Sequence, residues 1–417
     1  MEDVFVGIDV GTTKVCALAG RMEEENTMRV LGVGIQPSEG IRKGIVVDLA
    51  AASQAIKRAV EQAQRTGGLE ITGALVSLAG AHVASINSRG STGIPSGVID
   101  YGDIQRAFEQ AQSVAIPHDR EIVHIIQRGM TVDGQDGIRS PIGMRGYKLE
   151  VETHIITAAA AAMDNLRQCV GAAGVEIQQF VLNPLASGEV VLTEHEREMG
   201  VAVCDIGGGT TDLAIYVGGE VWYTMALAVG GNHLTQDIMH GLRLSAEQAE
   251  EVKKKYGHAV QAEIGAEEYF SIRPFGEESE TQVSRRDLAY IIEARVDEIF
   301  RLVLQEIKRS GYDSLLPAGM VLTGGTSALP GIKRIASAAL NMPVRVAQPE
   351  HISGLIDKLN SPAYSTSVGL LQWAAAMSGR DMSAVASSNR RRKPRGERPM
   401  LDVDFDAIKN WMKRLLP

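Results

Sequence analysis

Aromatic side chains are scarce in this chain: seven Phe, nine Tyr and three Trp make up 5% of 417 residues. Basic and aromatic residues do not alternate anywhere, which argues against a stacking platform for nucleic acid. Cysteine is rarer still, with Cys16, Cys169 and Cys204 far apart in the sequence. No metal-ligand spacing links them and two fall in expected strands, so they read as buried free thiols of a reducing compartment. No apolar run approaches the ~18–20 residues that a membrane-spanning helix needs. An acidic opening followed at once by a strand lacks the layout of a signal peptide. The expectation is a soluble or peripheral protein. Charge is also modest: the formal total of −9 gives no general affinity for nucleic acid. Its distribution is uneven, because residues 378–417 carry ten basic and five acidic side chains, leaving −14 on the rest.

What the chain does have is a repeated turn. From Val201 an apolar run reaches Asp205, followed by Ile206, Gly207, Gly208, Gly209, Thr210, Thr211 and Asp212; alternation then resumes at Leu213, Ile215 and Val217. Glycines let backbone N–H groups approach an anion, and threonine hydroxyls add donors. A carboxylate at the strand end, Asp205, is placed to hold a hydrated cation beside that anion. Walker and dinucleotide loops run from strand into helix. Here period-2 residues follow the glycines, so the spacing predicts a β-hairpin tip. Val4 to Leu18 repeats the layout, with Asp9-Val-Gly11 matching Asp205-Ile-Gly207. A third strand follows each hairpin, at Met28–Ile35 and Glu220–Val229, and then a helix, capped by Asp48 in one half and Asn232 in the other. Two such units predict two homologous lobes facing each other across a cleft.

Between them, residues 80–156 break the pattern and read as a small inserted α/β subdomain, with a helix at Tyr101–Ser113 and strands at Glu121–Arg128 and Lys148–Ile156. Further on, helices are expected at Asn183–Leu192, from a Ser245/Gln248 capping box, and at Arg286–Ser310. Residues 319–331 read strand, Gly pair, helix, and a last helix from Ser365 closes the second lobe by about Met377. Residues 378–404 are almost free of apolar side chains and read as a disordered basic linker. Phe405, Ile408, Trp411, Met412, Leu415 and Leu416 then form one helical stripe with Lys409, Lys413 and Arg414 beside it. Such a helix suits an anionic membrane surface; packing back on the body or filling a partner's groove are the competing readings.

In this order, the two Asp-x-Gly hairpins and the late strand with its Gly pair resemble the actin/Hsp70/sugar-kinase superfamily, over Val4 to about Met377. Within it the chain resembles the FtsA family of bacterial cell-division proteins. The match is carried by Gly7-Ile-Asp-Val-Gly-Thr-Thr-Lys14, Asn183-Pro-Leu-Ala-Ser187, Val203–Asp212, Val321-Leu-Thr-Gly-Gly-Thr326 and Tyr364-Ser-Thr-Ser-Val-Gly-Leu370, together with the insertion, the linker and the terminal helix. The resemblance implies an α/β, two-lobed actin-like (ribonuclease H-like) ATPase fold with an inserted α/β subdomain and a C-terminal amphipathic helix. It implies inner subdomains at 1–79 with 157–182 and at 183–230 with 306–377. The insertion would be 80–156, the outer subdomain of lobe two 231–305, the linker 378–404 and the membrane helix 405–417.

By the same resemblance, Gly11, Thr12, Thr13 and Lys14 hold the phosphates of ATP from one side, and Gly207, Gly208, Gly209, Thr210 and Thr211 from the other. Asp9 and Asp205 reach Mg²⁺ through water, Gly324, Gly325 and Thr326 line the adenosine, and Glu250 and Lys253 meet ribose and base. Phe405, Ile408, Trp411, Met412, Lys413, Arg414, Leu415 and Leu416 enter the membrane surface. The implied partners are FtsZ, further copies of the chain, an anionic membrane and other division proteins, at the cytoplasmic face of the septum. Hydrolysing superfamily members commonly carry Glu or Gln where this chain has Asn183, which cannot act as a base, so slow or no hydrolysis is expected and no catalytic residue is assigned. Read without the resemblance, Lys14 also fits a solvated strand residue, Glu250 and Lys253 a wet helix face, and Asp212 a brace for its own loop. A pilus-assembly ATPase or a small-molecule kinase of the same fold is the alternative.

Overall fold

The computed structural model describes residues 4–23, 27–277 and 279–385. Two sheets of the same design organise it. In the first, Phe5–Val10 pairs antiparallel with Lys14–Met22, which pairs antiparallel with Met28–Pro37. On its other side Phe5–Val10 runs parallel to Gly73–Leu78, itself parallel to Glu176–Leu182; Ile352–Gly354 adds a short edge beyond Met28–Pro37. In the second sheet Val201–Ile206 takes the central role, with Thr211–Val217 and Glu220–Leu227 on one side and Met320–Thr323 and Val344–Val346 on the other. All six residues of Val201–Ile206 are buried, as expected of a strand covered on both faces. The strands Gly73–Leu78, Ala84–Gly93 and Glu176–Leu182 were not anticipated from the sequence.

Helices cover these sheets with their apolar stripes. Leu49–Gly67 is capped by Asp48, whose Oδ1 accepts from Ala51 N at 3.0 Å, and it buries Ala52, Ala55, Ile56, Ala59, Val60 and Ala63. One apolar core fills lobe one and continues onto the near face of the second sheet, and another lies wholly in lobe two. The second, outer part is built on Arg285–Ser310, which buries Leu288, Ile292, Val296, Phe300, Val303 and Ile307. Ser245 and Gln248 form the expected capping box at the start of Ala246–Tyr256. One cap differs. The helix Gly231–Leu242 begins before Asn232, and Gly230 N–H donates to His233 Nδ1 at 3.2 Å instead. Its first N–H groups are already engaged, since Gly231 and Asn232 donate to the carbonyls of Gly207 and Gly208.

The insertion forms a four-stranded sheet in the order Ala84–Gly93, Lys148–Ala159, Arg120–Val132, Gln135–Ile138. Helix Tyr101–Gln112 packs on it over a small separate core that includes Ile104, Phe108, Met130 and Val151. This subdomain also touches lobe two. Ser85 Oγ donates to Thr224 O at 2.9 Å, His154 Nε2 meets Thr224 Oγ1 at 2.9 Å, and Arg128 donates to Tyr312 Oη at 2.9 Å.

Two helices cross between the lobes: Asn183–Val191 and Ser365–Val385. The second continues past the expected end at Met377. The remaining linker from 386 to 404 and the terminal helix 405–417, with Phe405, Ile408, Trp411, Met412, Lys413, Arg414, Leu415 and Leu416, lie outside the described residues. The two crossing helices meet so closely that a Cβ on Gly369 would lie 1.9 Å from the Ala186 carbonyl oxygen. We therefore expect Gly369→Ala to force the helices apart and destabilise the protein by ~1–3 kcal/mol or more. Gly171→Ala, where an added Cβ meets nothing within 4 Å, should be neutral. Thermal unfolding of the two variants checks this, and equal melting temperatures would contradict it.

Candidate functional site

The two hairpins end on the same side of their sheets and face each other. In the first, Val10 pairs with Val15 and Gly11 N–H donates to Lys14 O at 3.0 Å. In the second, Ile206 pairs with Thr211 and Gly207 N–H donates to Thr210 O at 2.9 Å. Asp9 and Asp205 thus occupy the same register position, one residue before the last rung. Ligands of open α/β sheets gather at the carboxyl ends of strands, and here a cavity of about 390 Å³ opens at that point. That volume is in the usual range of small-molecule sites, ~300–1,000 Å³.

Gly11, Thr12, Thr13, Lys14, Gly207, Gly208, Gly209 and Thr210 all line this cavity, as do Asp9, Asp205, Glu250, Lys253, Gly324, Gly325 and Thr326. Thr211 does not. Successive strand residues point to opposite faces, and Thr211 turns inward, fully buried, with its hydroxyl donating to Val229 O at 2.8 Å. The loops come into direct contact: a Cβ on Gly208 would sit 2.1 Å from Thr13 Oγ1. Only glycine allows that approach. Gly324 has a reason beyond the expected one, because its φ is +84° and a Cβ there would meet Asp205 Oδ1 at 2.3 Å. Gly325 has ordinary space, with Ala363 Cβ at 3.6 Å from an added Cβ. Thr326 Oγ1 ties this third motif to the second hairpin by donating to Gly207 O at 2.9 Å.

The carboxylates are held by hydroxyls. Asp9 Oδ1 accepts from Ser77 Oγ at 3.0 Å and its Oδ2 from Ser367 Oγ at 2.7 Å. Asp205 Oδ2 accepts from Thr366 Oγ1 at 2.7 Å. Burial pushes Asp205 up to about 6; the Thr366 hydroxyl opposes this and the Asp9 charge adds to it. Asp212 goes further, to about 8, through burial first and then the charge of Asp205. It does brace its own loop, since Thr210 Oγ1 donates to its Oδ2 at 2.8 Å. Yet it also lines the cleft, and its Oδ1 has no hydrogen-bond partner among the described residues. Asn183 Oδ1 is a second buried acceptor of that kind at the cavity wall.

Cations surround these acidic groups. Lys14 lines the cleft half-buried, with its ammonium donating to Ala363 O and lying 4.5 Å from the centre of the Tyr364 ring. Lys253 pairs with Glu250 at 2.6 Å and donates to Gly231 O at 3.1 Å and Thr235 Oγ1 at 2.9 Å. The pair is therefore part of the cavity wall and not a wet helix face. Burial pushes Glu250 up, but Lys253 and the Thr235 hydroxyl outweigh it and leave Glu250 below the usual carboxylate range. Burial likewise pulls Lys253 below its usual range, against the attraction of Glu250. Leu329, Pro330 and Ala363 supply an apolar wall. Ser77 and Thr235, which support the site, were not singled out from the sequence, and their only signal is a hydroxyl; Asn232 was read only as a helix cap, and Thr366 and Ser367 only as part of a family motif without a role.

Comparison with known proteins gives a consistent picture. The family profile described as "Cell division protein FtsA" matches residues 202–369, and that of the "SHS2 domain inserted in FTSA" matches residues 80–157. The chain is 39% identical to the cell division protein FtsA of Pseudomonas aeruginosa, over 98% of this chain and 97% of that protein. It is 38% identical to FtsA of Bacillus subtilis, over 89% and 84% respectively. Among solved structures it resembles the PilM–PilN type IV pilus biogenesis complex at 16% identity and TM-score 0.63, covering 89% of this chain and 98% of that one. MreB5 of Spiroplasma citri bound to ADP follows at 16% identity and TM-score 0.53, covering 91% and 98%. The MamK double helical filament matches at 12% identity and TM-score 0.53, covering 89% and 98%. These three establish an actin-like fold.

The raised Asp212 makes a pH prediction. A carboxyl whose pKa rises on folding contributes stability that is complete below about pH 4 and is lost as pH climbs through about 8. The nucleotide-free protein should therefore lose stability progressively between about pH 4 and about pH 8. Asp212→Asn should flatten that slope and raise stability at pH 8 by ~1–3 kcal/mol. Melting temperature against pH for both proteins checks it; parallel curves would refute it.

Proposed function

The chain belongs to the FtsA family of cell-division proteins, and from that premise we propose that it is a Mg²⁺-ATP-binding, actin-like adaptor that assembles on the cytoplasmic membrane at the septum. The observation that carries the nucleotide reading is the pairing of two glycine-threonine hairpins, one from each sheet, around a cavity with Asp9 and Asp205 at its floor. Backbone N–H groups and threonine hydroxyls of both loops suit phosphate oxygens, with Lys14, Lys253 and Lys254 for their charge. The apolar wall at Leu329 and Pro330 suits a base.

A cation fits the donor set. Among the described residues, two buried carboxylates are held by neutral hydroxyls and Asn183 Oδ1 and Asp212 Oδ1 are acceptors without a partner, groups that a hydrated divalent ion would satisfy. Bound Mg²⁺ would offset the charge of the phosphates. Asp9 and Asp205 would hold its waters, with Asn183 in reach of the same cavity. Because Asn183 cannot take a proton from water, nucleotide acts mainly as a conformational and polymerisation ligand.

Membrane attachment rests on residues 386–417, which carry the basic cluster Arg390–Arg395 and the apolar stripe Phe405–Leu416. No helix among the described residues is long and apolar enough to cross a membrane, so attachment is assigned to that amphipathic segment. Tethering of FtsZ is assigned to the outer part of lobe two, residues 231–305, where Tyr269, Phe275 and Tyr290 are 57%, 72% and 64% exposed. Exposed aromatics of this kind are common anchors of protein interfaces.

Two measurements test the proposal. Binding of ATP with Mg²⁺ should be measurable by calorimetry and should weaken about tenfold or more in Asp9→Asn, as for a lost partner of a bound metal; unchanged binding would remove Asp9 from the site. Full-length protein should sediment with anionic liposomes while a chain ending at Val385 stays in solution. Equal pelleting of both would place the anchor elsewhere.

A further inference from the structure

The first turn of the helix Ser365–Val385 touches both hairpins through neighbouring side chains. Thr366 Oγ1 gives its proton to Asp205 Oδ2 in lobe two, and Ser367 Oγ gives its proton to Asp9 Oδ2 in lobe one, each at 2.7 Å. Adjacent helical residues point about 100° apart, so one turn can address both lobes without sharing a donor. The bonds are shut off from solvent, with Thr366 6% and Ser367 0% exposed. The turn itself is fixed, because Thr323 Oγ1 donates to Ser365 Oγ at 2.7 Å. Just upstream, Ala363 O accepts from the Lys14 ammonium. Residues 363–367 therefore gather Lys14, Asp9 and Asp205 onto one segment.

We infer that Thr366 and Ser367 form a two-hydroxyl clasp that orients one carboxylate from each lobe toward a shared divalent cation, making them positioning residues for Mg²⁺-dependent nucleotide binding. The inference rests on the reading of the cleft as a Mg²⁺-nucleotide site. The choice of donor is what points to a cation. An Arg or Lys in either place would satisfy the carboxylate and cancel its charge. A hydroxyl spends one lone pair of the oxygen and leaves the negative charge intact for a metal. Asp9 shows the same choice twice, since its other oxygen is met by Ser77, whose own Oγ is fixed by accepting from Val10 N at 2.9 Å. Outer partners that orient metal-binding groups typically govern metal affinity by 10–100-fold, on the order of what is expected here.

The test uses full-length protein as wild type, Thr366→Val, Ser367→Ala, the double variant and the conservative Thr366→Ser. ATP affinity is measured by calorimetry in Mg²⁺ and in EDTA, and the ratio of the two is the readout. In parallel, the melting temperature is followed as Mg²⁺ alone is titrated. The clasp predicts that the Mg²⁺/EDTA ratio falls about tenfold in Thr366→Val or Ser367→Ala and further in the double variant. Thr366→Ser should restore it, and the Mg²⁺-induced rise in melting temperature should shrink in the same order. A merely structural role would lower stability in both buffers and leave the ratio alone, which would overturn the clasp. If the double variant does not fold, the isosteric Thr366→Val against Thr366→Ser decides. Wild-type protein that binds no ATP in Mg²⁺ would overturn the reading of the cleft and the clasp with it. Wild-type binding with unchanged ratios in the variants would overturn the clasp alone.

Discussion

A carboxylate taken out of water costs several kcal/mol unless charge or hydrogen bonds compensate it, and this protein buries Asp9, Asp205 and Asp212 around one cavity. Much of the surrounding structure follows from that constraint. Ser77, Thr366 and Ser367 give hydroxyl protons to the first two, and Thr210 gives one to the third. Gly324 forgoes a side chain so that the Asp205 carboxylate has room. Lys14 stands close enough to favour the ionised form of Asp205, yet bonds to a carbonyl and not to the acid. What the hydroxyls leave uncompensated is a burial cost that pushes the carboxyls of Asp205 and Asp212 above the usual carboxylate range. Such a site suits the positive ligand proposed for it.

The fold meets this demand by using one plan twice. A central strand, an antiparallel meander on one side and parallel strands on the other place an aspartate at the same register in each sheet. The cavity is lined from both hairpins, so neither alone makes it. Brought together with Gly208 against Thr13, they form opposite walls. The helices Asn183–Val191 and Ser365–Val385 run between the sheets, and residues from both sheets share the core beneath them. The 39% identity to a relative over 98% of this chain, with the matched SHS2 insertion, sets the pilus-assembly and kinase alternatives aside.

How much of this was legible in the sequence depends on what each residue does. The hairpins were readable because an Asp-x-Gly turn between alternating apolar runs has few other meanings, and the second copy removed most of them. Thr366 and Ser367 were visible only as part of a family motif, and their role was not. Their targets are 161 and 358 residues away, beyond any local pattern. Thr211 was misplaced because a loop composition ignores which face a strand residue takes. The strand Ala84–Gly93 was hidden by its polar, largely exposed side chains, and the end of Ser365–Val385 by serine and glycine that usually mark a linker. The Asn232 cap failed for a reason no propensity contains: the neighbouring hairpin had already taken the helix's free N–H groups.

The contact between the inserted subdomain and lobe two has a geometric meaning. Lobe one is joined to lobe two by the pair of crossing helices, and again, at a separate place, by the bonds from Ser85, His154 and Arg128 to Thr224 and Tyr312. Each separate tie between two bodies removes directions in which they can turn. With the hairpin tips also touching at Thr13 and Gly208, the inserted subdomain adds a further tie between the lobes, apart from the crossing helices and from the cleft. The insertion is thus a brace between the lobes as well as an addition to one of them.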